Sequence, residues 1–237
     1  MYKRQVQALF KAQQVIQFVK KPSLDEMVKT RVDFLTGYQD ATYAATYKAY
    51  VDQVRAAELP LGGGTAMTEA VARYLFKLMA IKDEYEVARL HTDAAFTAKV
   101  AGMFEGNYKL VHHLAPPGLS KKNDKGEALK SPFGPWVRSA FGLLTKMKGL
   151  RGGALDFFGR SAERQMERAL IVEYRACIDE LLQTLNAGNR ALAVEIARIP
   201  EEIRGYGHVK ERHLKAARPK WDALMSRWRA VELKQAA

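Results

Sequence analysis

Apolar residues that recur at three- and four-residue intervals dominate this sequence and constrain its fold more than any other feature. Three stretches show the spacing: Val28 to Val54, Met67 to Met79, and Leu170 to Leu185. Because an α-helix has about 3.6 residues per turn, such spacing places apolar side chains on one helix face. The sequence therefore predicts a mainly α fold, organised as a multi-helix domain.

The first stretch begins at a strong helix start. Ser23 is followed three residues later by Glu26, the pattern of a capping box, in which each side chain binds the backbone amide of the other residue. Apolar positions continue to Glu58, which predicts one long amphipathic helix over residues 23–58. Leu59–Gly64 contains a proline and three glycines, which end a helix.

This glycine- and proline-containing run suggests how the chain is organised. Residues 1–22 form an N-terminal segment, residues 23–58 a helical arm, residues 59–65 a linker, and residues 66–237 a helical C-terminal domain. Within that domain, Ser161 is placed to cap a helix whose apolar stripe includes Cys177, which predicts a buried cysteine. Pro219 is expected to kink or divide the last helix.

One region departs from the helical pattern. Asn107–Leu114 is rich in strand-forming residues, and Asn123–Gly126 has the composition of a turn. A small β-hairpin is therefore expected around residues 107–133. It must pack against helices, because an isolated hairpin is only marginally stable.

Cysteine content and charge exclude several classes of protein. Cys177 is the single cysteine, so the chain alone cannot form an internal disulfide, a zinc ribbon or an iron–sulfur cluster, and the reducing cytoplasm is the expected compartment. No apolar run is long enough to span a membrane, for which about 18 residues are needed. The net charge is +12, and residues 111–160 contribute nine basic and three acidic residues.

The basic segment has three open interpretations. It is a solvated loop, a docking site for an acidic protein, or a nucleic-acid contact, which is the least favoured because no nucleic-acid-binding motif accompanies the charge. The candidate docking residues are Lys121, Lys122 and Lys125.

Motifs of common catalytic sites are missing from the sequence. Gly62–Met67 lacks the last glycine of a dinucleotide-binding loop, and no P-loop, H-E-x-x-H or G-x-S-x-G motif occurs. His208 and His213 lie five residues apart, which separates them on a helix, and His112 and His113 alternate in a strand. We therefore assign no catalytic residue and no metal ligand in this chain.

An acidic cluster at Asp83, Glu84 and Glu86 suits the start of a helix, where negative charge is favourable. Glu86 is spaced to pair with Arg89, and Tyr85 is spaced to stack against Arg89. Both interactions favour a structural role for this cluster.

Several motifs in one order resemble the C-terminal helical region of fused indolepyruvate ferredoxin oxidoreductases, a region that is a domain of unknown function. The resemblance runs from about Ser23 to Arg229, and Met1–Gln5, which does not fit it, looks like a cloning or assembly scar. The motifs are Lys82–Leu90, Phe104–Gly106, His113–Pro117, Phe133–Trp136, Leu150–Asp156, Glu163–Leu170 and Pro200–Lys210.

The resemblance implies a parent enzyme that oxidatively decarboxylates aryl-2-oxo acids to acyl-CoA with thiamine diphosphate, iron–sulfur clusters and ferredoxin. This chain lacks a G-D-G motif, paired asparagines and multiple cysteines, so those cofactors would belong to other parts of the parent. The chain is then expected to be a docking portion that contacts the catalytic domains and is not catalytic alone. The candidate residues for an interface or for a face toward the parent's active site are Glu84, Tyr85, Arg89, His112, Arg204 and His208.

Overall fold

A computed structural model describes residues 21–106, 108–115, 120–121 and 129–236 of the chain. Within these ranges it contains nine α-helices and one two-stranded antiparallel sheet, which confirms the mainly α fold with a small hairpin. The helices are α1 (Leu24–Tyr38), α2 (Ala41–Glu58), α3 (Ala66–Met79), α4 (Glu84–Thr92), α5 (Ala94–Ala101), α6 (Val137–Lys146), α7 (Ala162–Thr184), α8 (Arg190–Ala197) and α9 (Gly207–Ala236), and the strands are β1 (His112–Leu114) and β2 (Ser131–Phe133).

The described chain has two regions and a connecting segment. Helices α1–α3 and α7–α9 share one hydrophobic core and form what we call the body. Residues 84–146, which contain α4, α5, the hairpin and α6, form the lobe, in which α4 packs against α6. Residues 147–160 lead from the lobe back to α7 and are called the anchor segment. The body is therefore interrupted in sequence between α3 and α7.

The predicted single helix over residues 23–58 is wrong. The capping box at its start is confirmed, since Ser23 Oγ accepts from Glu26 N at 3.2 Å and Ser23 N donates to Glu26 Oε2 at 2.7 Å. However, the helix ends after Tyr38, and Asp40 caps a second helix by accepting from Tyr43 N at 2.7 Å. The interval from Leu35 to Tyr43 keeps the helical spacing, so the apolar pattern conceals the break.

Helices α1 and α2 form an antiparallel pair. Their ends meet where Arg55 Nη1 donates to Asp25 Oδ1 at 2.6 Å, and the two helices pack along their length. The apolar stripe assigned to one helix thus lies on two facing helices of the body.

The segment Leu59–Thr65 is held against the body at its start. Leu59–Leu61 forms a 3-10 turn, and Gly62, Gly63 and Gly64 all have positive φ, which glycine adopts without steric cost. The fully buried Glu58 carboxylate accepts from Met67 N at 2.8 Å and from Thr68 N at 2.7 Å, so it caps α3 across the turn. The helices before and after this segment contribute to the same core.

Tyrosines connect the helices of the body through hydrogen bonds as well as apolar contacts. Tyr47 donates to the Ala72 carbonyl at 2.8 Å, and Tyr174 donates to the Ala197 carbonyl at 2.8 Å. Complete burial raises the pKa of Tyr174 well above its usual value, so its hydroxyl keeps the proton that it donates. These bonds satisfy polar groups that would otherwise destabilise a buried aromatic core.

Two later predictions have different outcomes. The hairpin is confirmed, with His112 opposite Phe133 and Leu114 opposite Ser131. Of the kink or division expected at Pro219, the division is wrong, because α9 continues through the proline as one helix. The buried side chains of Ala217 and Trp221 hold the helix against the body on both sides of the proline, which offsets the lost hydrogen bond.

The stretch from Asp83 through Phe104 contains two helices, α4 and α5. Asp93 ends α4 and caps α5 by accepting from Phe96 N at 2.8 Å.

No helix among the described residues is long and apolar enough to cross a membrane.

Candidate functional site

A buried ion pair joins the lobe to the anchor segment. Asp83 caps α4 by accepting from Glu86 N at 2.9 Å, and the same carboxylate accepts two bonds from Arg151, at 2.5 and 2.9 Å. Both side chains are only 6% exposed, so the pair is shielded from solvent. Removal of either partner would leave the other as a buried unpaired charge, which is strongly destabilising.

Arg151 also reaches the body. Its Nη1 donates to the Tyr38 carbonyl at 2.6 Å, and its guanidinium lies 3.7 Å from the centre of the Tyr38 ring. Burial acts to lower the pKa of Arg151, but the hydrogen bonds and negative charge of Asp83 raise this pKa overall, so the side chain stays charged. One arginine therefore connects α1, the start of α4 and the anchor segment.

A second acidic centre organises the anchor segment itself. The Asp156 carboxylate is 2% exposed and accepts from Gly152 N at 2.7 Å, from Gly159 N at 2.9 Å and from Arg168 at 2.5 Å. Burial opposes ionisation, but these backbone and arginine donors lower the pKa of Asp156 below its usual value. A Cβ at Gly159 would lie 2.2 Å from the Asp156 carboxylate, so this close approach requires glycine.

Tyr85 links the lobe to this second centre. Its hydroxyl donates to Asp156 Oδ1 at 3.3 Å, and its ring contacts Phe158 edge to face. The buried start of α4 therefore takes part in both acidic centres. Asp83 forms the first with Arg151, and Tyr85 donates to Asp156 in the second.

A third set of charges joins α4 to α7 and α9. Glu167, 2% exposed, accepts from Arg164 and from Lys210, each at 2.7 Å, and Arg164 lies 3.6 Å from Glu84. Burial raises the pKa of Glu84, and the charge of Arg164 opposes this rise. The Oε2 atom of Glu84 is buried without a hydrogen-bond partner, which makes this carboxylate the least satisfied of the set.

The candidate residues from the sequence fall into separate sets of contacts. Glu84 and Tyr85 belong to the ionic network just described. Arg89 forms the predicted pair with Glu86, at 2.7 Å, but the predicted stack of Tyr85 on Arg89 is wrong. Arg89 lies over the Phe34 ring instead, at 4.9 Å, while the Tyr85 ring faces Arg151.

The other candidates lie elsewhere. His112 packs against His91 and Phe141 within the lobe. Arg204 is exposed and donates to the Glu201 carbonyl at 2.9 Å, and His208 is exposed in the first turn of α9. Lys121 is exposed beside the hairpin, and Lys122 and Lys125 lie outside the described residues.

Arg151 and Asp156 are the residues that sequence reasoning missed. In the sequence, Arg151 belongs to the basic segment of residues 111–160. Its partner Asp83 lies 68 positions away, so no local pattern connects the two residues. The only local signal is the glycines that follow Arg151 and let the chain turn around Asp156. Charge alone does not distinguish a buried arginine from a solvated one.

Exposed apolar side chains are concentrated near the lobe. Of the fifteen large hydrophobic residues that are exposed in the described ranges, twelve lie between Leu90 and Phe157. Helix α5 is the clearest case, because six of its eight residues are apolar and none of them is buried.

One groove of the described residues, about 560 Å³, lies between α8 and α9. Four of the charged residues that line it pair with each other, Lys220 with Glu202 and Arg198 with Glu201. Within the described ranges, no three or more His, Cys, Asp or Glu residues are close enough to hold a metal ion. Cys177 is buried as predicted, and burial raises the pKa of its thiol to about 11.

A family model described as a family of unknown function, DUF6537, matches residues 24–223. No curated protein and no solved structure matches the chain.

Proposed function

The chain belongs to the DUF6537 family, and we propose that it is the C-terminal docking portion of a 2-oxoacid:ferredoxin oxidoreductase of the indolepyruvate type. In this role it binds the catalytic domains of a parent enzyme that decarboxylates aryl-2-oxo acids in the cytoplasm. It positions those domains and does no chemistry itself.

The exposed apolar side chains of the lobe and the anchor segment carry this proposal. A folded chain that keeps twelve large hydrophobic side chains exposed between Leu90 and Phe157 has side chains suited to contact with another protein. They come from α4, α5, the hairpin region, α6 and the anchor segment.

The charge network supports the same role. Each of the six buried charged residues of the described chain has its partner inside the chain: Glu58, Asp83, Glu86, Arg151, Asp156 and Glu167. Their charges stabilise contacts between elements and are not directed toward a substrate. Such a network fixes the lobe on the body, as a docking surface requires.

Five of the motifs that carry the resemblance lie at these same places. Lys82–Leu90, Leu150–Asp156 and Glu163–Leu170 supply the ionic network, whereas Phe104–Gly106 and Phe133–Trp136 supply exposed aromatic residues. The motifs behind the resemblance therefore include residues of the ionic network that holds the lobe on the body and exposed aromatic residues of the lobe.

The cofactors that the resemblance implies do not fit this chain. An iron–sulfur cluster requires several thiolates, and Cys177 is one buried thiol whose Sγ accepts from Trp221 at 3.3 Å. Thiamine diphosphate and the clusters are accordingly assigned to the catalytic domains of the parent.

The test is binding in separate polypeptides. The full chain, carrying an affinity tag, would be co-expressed with a fused indolepyruvate ferredoxin oxidoreductase that lacks its C-terminal helical region. We expect the two to purify as one complex and the chain alone to oxidise no indolepyruvate in the presence of thiamine diphosphate and an artificial electron acceptor. Activity of the isolated chain, or failure of the two to associate while the catalytic portion retains thiamine diphosphate binding, would show that the proposal is wrong.

A second candidate function is an independent basic module that binds an acidic protein such as ferredoxin, or nucleic acid. The exposed side chains of Lys121 and Lys130 beside the hairpin favour it. Replacement of Lys121, Lys122 and Lys125 by glutamine should then reduce the salt dependence of binding to ferredoxin or to DNA. Binding to neither partner would eliminate this candidate.

A further inference from the structure

Helix α5 and four residues that follow it expose apolar side chains, and together we call them the ridge: α5 with Met103, Phe104, Tyr108 and Val111. Met103 is 63% exposed and Phe104 is 53% exposed. The Phe104 and Tyr108 rings stack with centres 5.2 Å apart, which brings two aromatic residues of the ridge together. The ridge has the composition of the centre of a protein interface.

Positive charge accompanies the ridge. Lys99 projects from α5 and is exposed, Lys109 follows Tyr108 and is exposed, and Arg138 donates to Thr97 Oγ1 of α5 at 3.1 Å. The acidic residues in this part of the described chain are Asp93, which caps α5, and Glu105, so basic residues outnumber acidic ones by three to two. The ridge is therefore an apolar centre with a border of net positive charge.

We propose that the ridge binds an apolar groove bordered by carboxylates on the catalytic domains of the parent enzyme. This inference rests on the proposed function and specifies the chemistry of the partner's face. Apolar contact supplies most of the affinity, and the charges at the border orient the approach of the two surfaces.

Charge complementarity excludes two other occupants. A second copy of this chain would bring a net charge of +12 and the same basic border. Residues 1–20 of this chain carry four basic residues and no acidic one, so their charge would repel that of the ridge. Nucleic acid does not match the ridge either, because alanine, valine and methionine make poor contacts with phosphates and bases.

The co-expressed complex provides the test, with affinity measured by surface plasmon resonance between 50 and 300 mM NaCl. We expect salt to weaken binding by roughly tenfold over this range. The double variant Lys99→Glu/Lys109→Glu should weaken binding by about tenfold at low salt, mainly through slower association, and should lose most of the salt dependence. The variant Met103→Ala/Phe104→Ala should weaken binding by at least about tenfold, through faster dissociation and with the salt dependence unchanged.

The matched control is Arg212→Glu/Lys215→Glu, which makes the same charge change at exposed positions of α9, a helix that packs on the body. It should alter affinity less than about twofold. Equal loss in both charge variants, or salt-independent binding, would overturn the acidic groove while leaving the docking function in place. Absence of binding by the unaltered chain would overturn both.

Two further measurements address other polyanions. Vesicles of phosphatidylcholine and phosphatidylserine, and a 20-nucleotide DNA, would replace the protein probe. We expect neither to bind in a way that depends on Met103 and Phe104. Binding of either that is lost in Met103→Ala/Phe104→Ala would overturn the inference in favour of a membrane or of nucleic acid.

Discussion

The body contributes thirty-two buried residues to one hydrophobic core, whereas the lobe buries three, Ala88, Val137 and Phe141, in a small core of its own. Of the large hydrophobic residues in the described ranges, the helices of the body expose one, Val172, whereas the lobe exposes nine. What fixes the lobe is the ionic network around Arg151 and Asp156. The comparison teaches that one chain can obtain its stability from apolar burial in one region and use ion pairs to support an apolar surface in another.

The strongest test of this contrast removes the same large side chain from each region. Trp228 is fully buried in the body, and Trp136 is 65% exposed in the lobe. Trp228→Ala should lower the free energy of unfolding by about 4 kcal/mol, because it leaves a cavity in the core. Trp136→Ala should change it by less than about 0.5 kcal/mol. Urea denaturation followed by circular dichroism measures both, and similar losses would contradict the contrast.

The next largest effect is expected at the ionic network. Arg151→Met leaves Asp83 buried without its partner and should lower the free energy of unfolding by about 3 kcal/mol. Arg160→Met, in the same segment at an exposed position where the side chain donates to the Ala154 carbonyl, is the control and should cost much less. The double variant Asp83→Asn/Arg151→Met should recover part of the loss. If it recovered nothing, the unpaired charge would not be the cause.

A smaller and more local effect is expected within the lobe. Phe141→Ala removes the largest side chain of its small core and should cost about 2 kcal/mol, since a small core relaxes more readily than a large one. Hydrogen exchange should show faster exchange in α4, α6 and the hairpin and unchanged exchange in α2 and α7. Leu143→Ala, at a position of α6 that is 62% exposed, is the control. Equal acceleration throughout the body would indicate that the two regions unfold together.

The smallest effect concerns pH. His91 lies against the Phe141 and His112 rings, and burial, followed by the nearby His112 and Lys82, lowers the pKa of His91. The folded lobe therefore favours neutral His91, while the unfolded chain binds a proton below about pH 6.5, so stability falls as pH decreases through that value. Amide exchange of β1 and β2, corrected for intrinsic rates, should accelerate between pH 8 and 5.5.

Two variants separate His91 from its neighbours. His91→Phe keeps a ring in the same place and removes the titration, so it should reduce the pH dependence. His113→Gln, at an exposed position of β1, should leave it unchanged. An unaltered pH response in His91→Phe would assign the effect to another group.

Sequence patterns predicted the helix starts and the hairpin correctly where the structure depends on residues that are neighbours in the sequence. Ser23 with Glu26 and Ser161 marked real helix starts, and the residues around the turn gave the hairpin. These signals act over a few residues, so the sequence displays them directly. The break at Gln39 was missed because the apolar spacing continues across it, and only the glycine at position 37 and the capping residue Asp40 indicate it.

The site was harder to predict because its contacts are distant in sequence. Arg151 binds Asp83 and the Tyr38 carbonyl, which belong to elements far from the basic loop in which it lies. The residues next to Arg151 in the sequence predict that its side chain is exposed to solvent. It is buried because the anchor segment packs against α1 and the start of α4. The stack of Tyr85 on Arg89 failed for the same reason, because distant rings and charges compete successfully for both side chains.

Glu58 has a practical consequence for dissecting the molecule. Its carboxylate fastens the start of α3 to the end of α2, so the three glycines between them can be cut without separating what they join. A specific protease site inserted after Gly64, which is exposed, should produce two fragments that remain associated through the shared core. The protein would then serve as a split pair, whose halves can be labelled separately and reassembled.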